Sequence, residues 1–154
     1  MGKAAHTELK FICDKVVNDP EMVSHDITGD GIPETFCNYA VKRICNYLGY
    51  DKFGDKDTAN DIIKHCCGLS VWRNILPDVA QSKANLGHIV IAGLVDKPHG
   101  HVAVVYPGQM VYSGKWLTYV PRVANVGKNT GIIGVNYAFK TPPEFYCLEK
   151  SDTR

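Results

Sequence analysis

At 154 residues the chain has room for one globular domain and too little left over for a second. Hydrophobic residues make up 45% and charged ones 21%, which excludes long disorder, and 17 basic against 16 acidic side chains leave +1, too little to draw the whole chain to nucleic acid or anionic lipid. The longest apolar runs, such as His88 to Val95, fall far short of a membrane span, so no membrane insertion is expected.

The opening residues, Met1 to Lys10, contain no apolar stretch of the secretory type. Synthesis in a reducing cytosol is therefore expected. The six cysteines, Cys13, Cys37, Cys45, Cys66, Cys67 and Cys147, are too sparse for a disulfide scaffold, and most should serve as small core hydrophobes. Helical spacing of Leu9, Ile12, Cys13 and Val16 predicts a helix from Thr7 to Val17. A turn-rich loop follows at Asp26 to Pro33, and a second helix is predicted from Thr35 to Leu48, stopping at Gly49. Two more are predicted from Asp57 to Cys67, closed by Gly68, and from Asp78 to Leu86, ended by Gly87. The second half reads as strands: Ile89–Val95, His101–Tyr106, Met110–Ser113, Leu117–Val120, Val135–Phe139 and Phe145–Leu148. Helices first and strands afterwards predict an α+β domain with an antiparallel sheet.

The chemistry concentrates in two segments. In Glu34-Thr35-Phe36-Cys37-Asn38, Thr35 suits a helix N-cap and places Cys37 in the first turn. Free amides and the helix dipole there favour a negative charge, which would lower the thiol pKa and could receive an oxyanion. In His99-Gly100-His101-Val102-Ala103, His101 begins a strand of buried character 64 residues after Cys37. If the fold joins them, the histidine can serve the thiol as base and a leaving amine as acid. His99 and His101 share one side of an extended strand, but no nearby cysteine or carboxylate pattern completes a zinc site. Asp26-Ile27-Thr28-Gly29-Asp30-Gly31 mimics the front of a calcium loop, although an EF-hand's closing acid would fall at Cys37.

Thr35-Phe36-Cys37-Asn38 opening a helix, followed by Gly100-His101-Val102-Ala103-Val104-Val105 opening a strand, resembles the papain-like cell-wall cysteine amidases and peptidases. That group includes NlpC-type endopeptidases, CHAP amidohydrolases of phage endolysins and amidase effectors of type VI secretion. The likeness covers Pro33 to Gly127, and Ile89-Val90-Ile91-Ala92-Gly93-Leu94 is similar to the effectors in particular. It implies a single papain-like catalytic domain over residues 1–154, with no separate wall-binding module. It also implies cleavage of peptidoglycan amide bonds by a monomer that acts on stem peptides in the wall or periplasm after release or injection.

In that family a third residue from the next strand orients the histidine. Ser113, at the end of Met110-Val111-Tyr112-Ser113, is the first choice, and Asn125, in Val123-Ala124-Asn125-Val126-Gly127, is its rival. Asn38, Tyr112 and Trp116 are candidates for the oxyanion or substrate site, and Tyr119 and Tyr137 for the walls of a sugar-peptide cleft. Some CHAP domains carry calcium just before the cysteine, which makes Asp26, Thr28, Asp30 and Glu34 candidate ligands. No organic cofactor is required. Two other readings stay open on the same scaffold: a thiol acyltransferase or transglutaminase, and a binding module without catalysis.

Overall fold

In the computed structural model, which describes residues 2–22, 29 and 36–149, helices form where apolar residues recur every three or four positions. Helix α1 (Gly2–Val17) buries Leu9, Ile12, Cys13 and Val16. Helix α2 (Cys37–Tyr47) buries Cys37, Ala40, Val41, Ile44 and Cys45 along one face. Helix α3 (Ala59–Gly68) turns Ile62, Ile63 and Cys66 inward. Its start is fixed by a capping box: the Thr58 hydroxyl accepts from the Asp61 amide, and the Asp61 carboxylate accepts from the Thr58 amide. Helix α4 (Pro77–Asn85) begins with proline at its first position, where a missing N–H costs nothing. Gly49 and Gly87, with φ of +94° and +89°, end α2 and α4 in the left-handed conformation that side chains resist.

The strands are β1 (Trp72–Ile75), β2 (Val90–Leu94), β3 (His101–Val105), β4 (Val111–Ser113), β5 (Thr118–Val120), β6 (Arg122–Asn125), β7 (Gly131–Gly134) and β8 (Glu144–Leu148). Six of them form one antiparallel sheet in the order β1-β8-β2-β3-β6-β7, while β4 and β5 pair only with each other. The chain is thus α+β, as expected. Consecutive residues Val90 to Ala92 and Val102 to Val105 are all buried, so both faces of the central strands are covered. Helices α2 and α3 lie against β3, and α4 against β2, β3 and β8. All six cysteines are free; Cys67 is exposed and the other five are buried. Among the described residues no helix is long and apolar enough to cross a membrane.

Three departures from the expected elements matter. Trp72–Ile75 is an edge strand paired with β8, although only Trp72 of its four residues is buried, so no alternation marks it. β6 and β7 form a hairpin whose second strand, Gly-Ile-Ile-Gly, is too short and glycine-rich to stand out. Val135–Phe139, expected as a strand, instead begins with a helical turn, α5 (Val135–Ala138), closed by the Phe139 amide on the Val135 carbonyl at 2.9 Å. The sequence alternates as a strand would, but one turn of helix buries Val135 and Phe139 together.

Candidate active site

The helix carrying Cys37 begins with Phe36 at the cap position and no side-chain cap bond. Thr35, expected to cap it, lies outside the described residues. The first-turn amides of Cys37 and Asn38 face the sulfur. Hydrogen bonding from the main-chain N–H groups of Val102, Asn38 and Cys37 itself favours the thiolate, yet burial outweighs it and pushes the Cys37 thiol up from its ordinary value. That reverses the lowered pKa expected from the helix start alone. The contact with Val102 is informative in another way, because Val102 directly follows His101 on β3.

His101 sits at the head of β3 opposite Leu94. A glycine must precede it: a Cβ on Gly100 would strike the Asn60 side-chain oxygen and come within 2.7 Å of the Leu94 carbonyl. Asn60, on α3, also donates to the Asp96 carbonyl at 2.9 Å, stapling the β2–β3 connection to that helix. Burial pushes the His101 pKa below its ordinary value, with a hydrogen bond to Asn125 pulling it partly back. Phe139 covers one side of the ring, centroid to centroid 4.9 Å.

Asn125 lies on β6, the strand paired with β3, and its Oδ1 is 2.6 Å from His101 Nε2. The amide's orientation follows from its other bond, since Nδ2 donates to the Asn129 carbonyl at 2.9 Å. Oδ1 is thus the acceptor, Nε2 carries the proton, and Nδ1 of neutral His101 holds the free lone pair. Cys37, His101 and Asn125 line one cavity of about 450 Å³, with His99 and Phe139 among its other walls.

Most other residues singled out in the sequence lie elsewhere. Ser113, the first choice for orienting the histidine, is buried on β4, where its Oγ accepts from the Trp116 amide at 2.9 Å. It does not line the cavity, because β4 leaves the main sheet and β6 takes the place beside β3. The Asn38 side chain points at the 54–57 loop, donating to the Asp57 carbonyl at 3.0 Å. Tyr112 is exposed and packs edge-on against Tyr119 at 5.3 Å. Trp116 and Tyr119 line a separate hollow of about 340 Å³ with Pro77 and Pro143, whereas Tyr137 does line the Cys37 cavity. Asp26, Thr28, Asp30 and Glu34, the calcium candidates, lie outside the described residues; among the described ones no three potential ligands cluster.

Several cavity residues went unnoticed in the sequence. Phe139 and Asn136 were hidden by the strand reading of Val135–Phe139, and Lys115, Lys128 and Lys140 by their ordinary surface composition. Gly127 alone had a signal, since it ends the Val123-Ala124-Asn125-Val126-Gly127 segment; a Cβ there would stand 3.5 Å from His101 Cε1. No protein-family model matches the chain, and no curated protein matches it.

Proposed function

We propose that the protein is a cysteine amidohydrolase of papain-like architecture that cleaves amide bonds in peptidoglycan stem peptides. The observation that carries this reading is the shared cavity: a thiol at a helix start, an imidazole at a strand start, and an asparagine that fixes the imidazole's tautomer. Both groups rest neutral by the direction of their shifts. His101 Nδ1 takes the Cys37 proton as the sulfur attacks the scissile carbonyl, so that charge develops only during the reaction. The amides at the start of α2 stabilise the tetrahedral oxyanion. The imidazolium then protonates the departing amine, and water, deprotonated by the same nitrogen, hydrolyses the thioester. Asn125 holds the ring throughout and stabilises the imidazolium by a neutral hydrogen bond, a weaker effect than a carboxylate would give.

The papain-like assignment and the choice of peptidoglycan rest on the resemblance of the Cys37 and His101 segments; any amide that fits the cavity would satisfy the chemistry. The test is mass spectrometry of muropeptides released from sacculi by the wild type and by Cys37→Ala. New free amines produced by the wild type and absent with a folded Cys37→Ala variant support the reading. Undiminished cleavage by that variant overturns it, and incorporation of a labelled amine in place of hydrolysis would redirect it to acyl transfer.

A further inference from the structure

The charge lining the Cys37 cavity is all of one sign. Lys115, Lys128 and Lys140 contribute to its wall, and no Asp or Glu does, in a chain that has nearly as many acids as bases. The three lysines are not equivalent. Lys140 is paired with Asp96 at 3.1 Å, and Lys115 donates to the Lys140 carbonyl at 3.3 Å. The Lys128 ammonium has no hydrogen-bond or ion-pair partner among the described residues. Its backbone is nevertheless held in place: Gly127 before it approaches the imidazole edge, and Asn129 after it supplies the carbonyl that orients Asn125.

A cavity walled by cations selects against a cationic substrate and raises the local concentration of an anionic one. We infer that the cavity takes an acyl donor bearing a free carboxylate beside the scissile amide, held by Lys128 with Lys115. This deepens the amidohydrolase reading and rests on it. An acidic peptide segment fits; the same segment with its carboxyl amidated forfeits the contact. The lysines are exposed, so each contributes modestly and the effect is salt-sensitive.

Two measurements test it on the intact protein. The first compares alkylation of Cys37 by iodoacetate and iodoacetamide, read by peptide mass mapping, with exposed Cys67 as the reference thiol. The iodoacetate-to-iodoacetamide rate ratio should be higher at Cys37 than at Cys67. It should fall roughly two- to fivefold for each of Lys128→Gln and Lys115→Gln, and fall again at high salt. Equal ratios at the two cysteines overturn the inference. The second compares paired muropeptides that differ only in carboxyl against carboxamide next to the cut bond. Preference for the acid, expressed in KM and reduced by Lys128→Gln, supports the proposal. Cleavage of both peptides with equal KM overturns it and leaves the hydrolase reading standing; cleavage of neither overturns both.

Discussion

Asn125 is the residue whose contribution can be isolated most cleanly. Its Oδ1 accepts from His101 Nε2, and that bond both selects the tautomer and raises a pKa that burial has lowered. Replacing it with alanine should loosen the ring and reduce kcat/KM on the order of 10²-fold, the scale of a small misplacement of a reacting group. The acid limb of the pH–rate profile reports the free enzyme's His101. It should lie below 6.5 in the wild type and move lower still in Asn125→Ala, because the hydrogen bond stabilises the imidazolium. A limb that moved upward would contradict this account. Ser113→Ala, in contrast, removes only the acceptor of the Trp116 amide and should leave the limb where it is.

At the scale of elements, two contacts position the pair. One is the close approach of Gly100 to Asn60 and Leu94, which fixes the β2–β3 connection. Gly100→Ala forces a Cβ against a main-chain carbonyl and should cost about 1–3 kcal/mol in urea denaturation, with His101 displaced and activity reduced. The other is Lys42 on α2, buried, whose ammonium donates to the carbonyls of Gly54, Asp55 and Asp57 at 3.1, 2.8 and 3.2 Å. Lys42→Ala removes the shared donor, leaving the Asp57 carbonyl to Asn38, the Gly54 carbonyl to the Asp57 amide and the Asp55 carbonyl with neither, and should destabilise the protein by about 1–3 kcal/mol, measured in the same way. The elements also show what a sequence reader can and cannot see. Helices α2 and α3 were visible because their apolar residues repeat at the helical period, and β2 and β3 because they are dense in β-branched residues. Cys37 and His101 stood out for the same reason, as polar chemistry at the start of such segments. The choice between Ser113 and Asn125 was not legible, since it depends on sheet order. The strand next in sequence to β3 is β4, but the strand next in space is β6. Phe139 and the lysines escaped because a one-turn helix and ordinary surface residues leave no periodic trace.

For the molecule as a whole, buried ionisable groups set the pH range over which it stays folded. His65 and His101 are both held below 6.5 by burial. The unfolded chain therefore binds more protons in acid, and their stabilising contribution, full above about 6.5, is lost as pH falls through the lower folded values. The buried thiols act at the other end. Burial pushes Cys13, Cys45 and Cys66 up, and Cys147 up to about 11, from 9.0. Their contribution is full below about 9 and is lost as pH rises through the folded values. Urea midpoints measured under reducing conditions should accordingly fall on both sides of a plateau near neutrality; a midpoint that rose between pH 7 and pH 5 would refute the histidine half.

The two walls of the Cys37 cavity come from opposite halves of the chain, the thiol from α2 and the imidazole from β3. Neither half can assemble both alone. Recovery of native Cys37 alkylation kinetics after dilution from denaturant is therefore a clock for the docking of helices onto sheet, readable by timed labelling with no substrate in hand.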